Sequence, residues 1–160
     1  MALLKVASAC MHAQMDKAAN LSKMLAWMEQ AAQAGAKLLV FPEQILSGYL
    51  FNCRTLSNEQ FAYHYANAET VPEGPSVRAI AAKAAGLGLY VVFGMTEQDE
   101  AEPDLLYNTA VLVGPEGYIG KYRKVHLPMD ELHMYTPGDR FPVFQTPIGR
   151  IGLMICYDKS

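Results

Sequence analysis

The chain has 160 residues, of which 51% are hydrophobic and 18% charged, and its net charge is −3. Those figures exclude a disordered chain and allow one domain that buries roughly two thirds of its unfolded surface. The basic cluster Lys121, Arg123 and Lys124 is too small for a nucleic-acid footprint, and no apolar run approaches the ~18 residues of a membrane span.

Leu3 to Cys10 reads as a buried strand. Asp16 is placed to cap a helix running to about Gln33, with Leu21, Met24, Leu25, Met28 and Ala32 forming one apolar stripe. Gly35 suits the left-handed position beyond the helix end. Lys37 to Phe41 is a second apolar strand, stopped by Pro42. Strand, helix and strand within so short a span predict a βαβ unit with parallel strands.

Glu43 to about Asn58 is irregular, with Ser47-Gly48-Tyr49 as its turn. A polar helix is expected from Ser57 to Asn67. A second helix is expected after the stiff Val71-Pro-Glu-Gly-Pro75 connector, beginning at Gly74 or Ser76 and ending at Gly86 and Gly88. Its buried stripe is Val77, Ile80, Ala81 and Ala84. Leu89 to Met95 and Tyr107 to Val113 read as strands three and four, with an acidic, exposed stretch from Glu97 to Asp104 between them. Gly114-Pro115-Glu116-Gly117 predicts a hairpin to strand five, Tyr118 to Lys121. Lys121 to Gly138 is a long loop. Strands follow at Phe141 to Gln145 and Gly149 to Ile155, joined by a Thr146-Pro147-Ile148-Gly149 turn. The last one suits burial on both faces. The fold class is α/β, a mixed sheet with flanking helices.

Three residues draw attention because each follows a strand. Glu43 follows strand two, Lys124 strand five and Cys156 the last strand, at the sheet edge where open α/β proteins place ligands. Alone, each has an ordinary reading: an exposed glutamate, a solvated lysine, a buried small hydrophobe. Together they describe a chemistry. The thiolate is the nucleophile, a carboxylate can take and return the proton, and an ammonium can hold a developing oxyanion. The Tyr157 backbone N–H is a second oxyanion donor. Such a set implies acyl transfer through a thioester on a carbonyl or nitrile carbon. Tyr49, Phe51 and Tyr157 are candidate pocket aromatics.

Phe41-Pro42-Glu43, Tyr122-Arg123-Lys124-Val125-His126-Leu127 and Gly152-Leu153-Met154-Ile155-Cys156-Tyr157-Asp158 resemble, in order and spacing, three signature blocks of the nitrilase superfamily of carbon–nitrogen hydrolases. Tyr107-Asn108-Thr109 and Thr136-Pro137-Gly138-Asp139 extend the resemblance along the chain. It implies Glu43 as general base, Lys124 as transition-state stabiliser and Cys156 as nucleophile. A second glutamate is implied in the loop after the lysine, with Glu131 the candidate and Asp130 the alternative. The implied fold is part of a four-layer α-β-β-α sandwich. The implied function is hydrolysis of a small amide, N-carbamoyl compound or nitrile without cofactor, by a homo-oligomer of at least two copies.

The resemblance also implies more chain beyond the cysteine than Ser160 allows, so residues 1–160 read as a nitrilase-like domain truncated at its C-terminus. The rival to an amidase is therefore a non-catalytic assembly or partner-binding module, and a true nitrilase is the alternative within the enzyme class. The histidines His12, His64, His126 and His133 lack metal-ligand spacing, and His126 is expected to be a structural hydrogen-bonder. Cys10, Cys53 and Cys156 are an odd, widely spaced set that suits a reducing cytosol, with Cys10 in the core and Cys53 a loop thiol. Met1 to Lys5 lacks the charged n-region of a signal peptide. The expectation is a soluble cytoplasmic protein with neither nucleic acid nor membrane as partner.

Overall fold

The computed structural model of the protein describes residues 3–50 and 52–159, so Phe51 lies outside the described residues. Five strands form one mixed sheet in sequential order: β1 (Val6–Ser8), β2 (Leu38–Val40), β3 (Tyr90–Gln98), β4 (Leu106–Gly114) and β5 (Gly117–Arg123). The first three run parallel and the last two antiparallel, so the expected βαβ unit and hairpin are both present. A separate two-stranded hairpin pairs β6 (Val143–Thr146) with β7 (Gly149–Gly152).

Three helices accompany the sheet. Helix α1 (Lys17–Gln33) starts where Asp16 accepts a hydrogen bond from the Ala19 N–H, and Gly35 beyond its end has φ 79°. Helix α2 (Asn58–Asn67) begins with a reciprocal capping box between Ser57 and Gln60. Helix α3 (Pro75–Leu87) has Gly74 as its N-cap and Pro75 in its first turn, where the missing N–H costs nothing.

Alternation along the strands assigns the two faces of the sheet. Val91, Phe93, Met95, Val111 and Val113 pack with Met24 and Met28 of α1 and Val77, Ile80 and Ala84 of α3. Val92, Ala110, Leu112 and Tyr122 face the other way, against Leu153 and Ile155, with Phe144 and Ile151 of the small hairpin packed on them. The main helices thus cover one face, while the hairpin and the approach to Cys156 lie on the other.

Several expectations fail for identifiable reasons. Strand β1 is three residues long and mostly exposed rather than buried, because it is the edge of the sheet with β2 as its one neighbour. Cys10 lies beyond it and is exposed, not core, whereas Cys53 is buried in a short 3-10 turn with Leu106, Met134 and Tyr135. Glu97 is not in an exposed stretch. It lies inside β3, 1% exposed, and accepts from Thr109 Oγ1 at 2.7 Å while pairing with Lys121 and Arg123 of β5. Two cations from across the sheet offset its desolvation. The last strand stops at Gly152 instead of reaching Ile155, and it is largely exposed, because it pairs with β6 rather than entering the main sheet.

Candidate active site

Behind Pro42 the chain folds back onto β3. Phe41 N donates to Val92 O at 2.8 Å and Leu46 N to Gly94 O at 3.1 Å. Gln44 adopts φ 54°, a left-handed conformation unusual for a non-glycine residue, and its buried side chain bonds Met95 O at 3.3 Å and accepts from Thr96 Oγ1 at 2.9 Å. The Thr96 N–H donates to Ser47 Oγ at 2.7 Å. Gly94 permits this close approach, since a Cβ there would sit 2.4 Å from Gln44 N. The elbow is thereby fixed with Glu43 just beyond the carboxyl end of β2 and its backbone against Gly94 of β3.

Lys124 follows β5 directly. Its N–H donates to Asn108 O and its carbonyl accepts from Gly138 N, both at 2.8 Å. Its side chain is fully buried, and the ammonium donates to Glu43 Oε1 at 2.8 Å and to Glu131 Oε1 and Oε2 at 2.8 and 3.0 Å. Burial opposes the charge on Lys124, yet its bonds to Glu131 and Glu43 outweigh that and hold its pKa above the ordinary value. Burial raises the pKa of Glu131, against the pull of the Lys124 hydrogen bond. Glu131 opens a 3-10 turn (Glu131–His133) and is buried, and it is Glu131 rather than Asp130 that accepts from Lys124.

Asn108, opposite Lys124 across the end of the β4–β5 ladder, was assigned no role by sequence reasoning. Its Nδ2 donates to Glu43 Oε1 at 2.7 Å and lies 3.4 Å from Glu131 Oε2. It bridges the two carboxylates. The signal for it was a polar Asn-Thr pair inside an otherwise apolar strand.

Cys156 is exposed and begins a 3-10 turn (Cys156–Lys159) with φ 44°. Such a conformation costs a non-glycine residue on the order of 1–2 kcal/mol and persists where surrounding contacts impose it. Burial and then the negative charge of Glu43 raise the thiol's pKa, the charge of Glu131 adds to the rise, and the Lys124 charge opposes them. All three sequence-identified groups and Glu131 therefore lie in one electrostatic unit. Tyr49, half-exposed, joins it: burial foremost, then Glu43, Cys156 and Glu131, raise its hydroxyl pKa. Tyr157 is exposed within the Cys156 turn.

Asp158 has no role legible in the sequence, and the structure brings four groups of three residues to its carboxylate. Its carboxylate accepts from Tyr122 Oη at 2.7 Å, Ile155 N at 2.8 Å and His126 N at 3.0 Å, and lies 3.0 Å from His126 Nδ1. His126 thus has the hydrogen-bonding part expected of it. Although burial works the other way, the bonds from Ile155, His126 and Tyr122 lower the Asp158 pKa.

A cleft of about 350 Å³ opens beside Glu43 and Tyr49. A larger one of about 480 Å³ lies under the β6–β7 hairpin, lined by Tyr118, Tyr122, Arg140 and Phe144, and neither the thiol nor either glutamate lines it. The presence of Glu43 in its wall, rather than size, marks the first as the candidate substrate site. Among the described residues no group of three or more His, Cys, Asp or Glu side chains is placed to hold a metal, and no helix is long and apolar enough to cross a membrane.

Residues 5–160 match the family model described as carbon-nitrogen hydrolase. A nitrilase of Pyrococcus abyssi is 39% identical over 158 residues, which is 98% of this chain and 56% of that protein. A probable nitrilase of Schizosaccharomyces pombe is 32% identical, over 88% of this chain and 50% of its own length. The chain thus spans about half the length of the curated relatives it matches. Among solved structures, Saccharomyces cerevisiae Nit3, a member of branch 10 of the nitrilase superfamily, superposes with a TM-score of 0.81 at 30% identity, covering 97% of this chain and 56% of that one. An amidase from Nesterenkonia sp. shares the fold, with a TM-score of 0.72 at 24% identity over 97% of this chain and 56% of its own.

Proposed function

Because the chain belongs to the carbon–nitrogen hydrolase family, we propose that the protein hydrolyses a non-peptide C–N bond of a small amide or N-carbamoyl compound through a thioester on Cys156. The observation that carries this reading is the buried Lys124 ammonium held within 3.0 Å of both Glu43 and Glu131, with the Cys156 thiol in the same electrostatic unit.

Glu43 takes the proton from the Cys156 Sγ as sulfur bonds to the carbonyl carbon. The carbonyl oxygen becomes an oxyanion, held by the Lys124 ammonium and the Tyr157 backbone N–H. Glu43 returns its proton to the nitrogen as the C–N bond breaks, and ammonia or an amine departs. Water then adds to the thioester carbon after giving a proton to Glu43; the C–S bond breaks, the acid leaves and the thiol recovers that proton. Glu131 and Asn108 act as positioning residues, holding Lys124 and Glu43 in place before substrate arrives. Self-association into at least a dimer belongs to the same reading, and size-exclusion chromatography measures it.

Incubating the protein with simple aliphatic amides and recording intact mass tests the scheme. An acyl adduct on Cys156, absent in Cys156→Ala, is the expected result; an adduct carried by Cys10 or Cys53 sinks it. A nitrile substrate is the second reading, favoured by the names of the curated relatives. Assaying nitrile and amide substrates in parallel, with acid and amide products resolved, separates the two.

A further inference from the structure

The cleft beside Glu43 is built from two segments that leave the carboxyl ends of adjacent parallel strands. Met11, His12 and Ala13 come from the connection between β1 and α1, and Pro42, Ile45 and Tyr49 from the connection after β2. Glu43 itself forms part of the wall, together with Tyr49, which feels the charges of Cys156 and Glu131, so the cleft opens beside the proposed general base and runs toward the first connection.

These two connections are tied together before any ligand binds. Asn20, fully buried on α1, donates from Nδ2 to Gln14 O at 2.7 Å and to Leu46 O at 3.1 Å, while its Oδ1 accepts from Gln14 N at 2.9 Å. One amide thus satisfies both backbone groups of Gln14 and a carbonyl of the Glu43 segment. At Gly48 the backbones come so close that a Cβ would lie 2.8 Å from Gln14 O. The wall is preformed, which removes an ordering cost from binding.

Its chemistry is as definite as its shape. Methionine, alanine, proline, isoleucine and tyrosine dominate the lining, and neither lysine nor arginine is among the lining residues. Behind it stand two carboxylates, Glu43 and Glu131, against one ammonium, Lys124, which pairs with both. With His12 the one lining side chain able to become cationic, an anionic chain would meet the net negative charge of that cluster, and an uncharged hydrocarbon would lose only water.

We infer that this cleft takes the acyl chain of the substrate and selects uncharged, apolar acyl amides over carboxylate-bearing ones, with Met11 and Ala13 setting the accepted length. The inference rests on the cysteine-hydrolase reading for its reaction but not for its test.

Equilibrium binding to Cys156→Ala, which cannot turn over, is measured by calorimetry for acetamide, butyramide, hexanamide and succinamate. Affinity is expected to rise about fourfold per methylene, the equivalent of ~0.8 kcal/mol for each buried CH₂. Succinamate is expected to bind at least tenfold more weakly than butyramide, which carries the same two methylenes without the charge. Adding Ala13→Trp should flatten the series by filling the cleft, with Met11→Phe as the alternative obstruction and circular dichroism confirming that each variant is folded. A flat series in folded Cys156→Ala, or succinamate binding as tightly as butyramide, overturns the inference. Loss of the hydrolase reading is seen separately, as absence of an acyl adduct in the unmodified protein.

Discussion

The Asp158 carboxylate accepts a 2.7 Å hydrogen bond from the Tyr122 hydroxyl, joining the turn that carries Cys156 to strand β5, 36 residues earlier. The same carboxylate holds the N–H groups of Ile155 and His126, so one side chain fixes the approach to the thiol and the segment after Lys124 together. Two reactive groups on different parts of the chain share one anchor.

Asp158→Asn is therefore expected to destabilise the fold by about 1–3 kcal/mol, the range for stranding buried hydrogen-bonding groups. Its sign with pH follows from the lowered pKa: the charged carboxylate's contribution is present above the ordinary carboxylate range and is lost as pH falls through the depressed folded value. Urea denaturation of both proteins across that range should show the gap narrowing in acid. An equal gap at every pH would argue against the anchor.

Lys124→Met leaves Glu43 and Glu131 facing each other without their cation. Breaking a buried pair in this way costs roughly 3–5 kcal/mol, and losing an oxyanion donor costs on the order of a hundred- to thousandfold in kcat. Glu131→Gln, which keeps the shape, should retain more stability than Lys124→Met. Denaturation midpoints and amide turnover measured side by side check both.

Glu43→Gln is expected to lower the pKa of Cys156 while abolishing hydrolysis. The negative charge of Glu43 is one of the causes that hold the thiol up, and with it gone Lys124 acts less opposed. The pH profile of iodoacetamide alkylation at Cys156, followed by peptide mass, should move to lower pH. Movement to higher pH would contradict the electrostatic unit.

His64 is fully buried, its Nδ1 3.1 Å from Thr96 Oγ1, and burial lowers its pKa to about 4. The unfolded chain, near 6.5, binds the proton more readily, so stability is lost as pH falls from about 6.5 toward 4. One proton corresponds to at most ~1.4 kcal/mol per pH unit. Comparing the slope of stability against pH with that of His64→Gln isolates this contribution; identical slopes would remove it.

Gly94→Ala places a methyl group against the backbone of Gln44 and Glu43, at 2.4 and 2.9 Å. Since backbone rather than a flexible side chain must yield, a cost of about 1–3 kcal/mol is expected, with hydrolysis falling further than stability because Glu43 shifts. Melting temperature and turnover together test this.

Much of the site was legible because its signals are local. Glu43 stands at the end of an apolar run and Lys124 just beyond a hairpin strand, and a strand end can be read from a few neighbouring residues. Glu131 was less legible than either: the 121–138 segment has no periodicity, so nothing local separated Glu131 from Asp130. Asn108 and Asp158 were visible as residues but not as partners, since their roles exist only across strands and turns. Glu97 misled for the same reason. Its neighbours in sequence are polar, and its neighbours in space are Thr109, Lys121 and Arg123.

By itself, the sequence determined most of the elements, the parallel pairing of the first two strands, the β4–β5 hairpin, and the three reactive residue types with their order, because periodicity, caps and turn residues act over a few positions. The tertiary structure alone decided which glutamate meets Lys124, that the last strand pairs with β6 outside the main sheet, and that Cys156 turns outward with positive φ. Those outcomes depend on burial and hydrogen bonds between groups far apart along the chain, where the balance between desolvating a charge and pairing it is struck only when the partners meet.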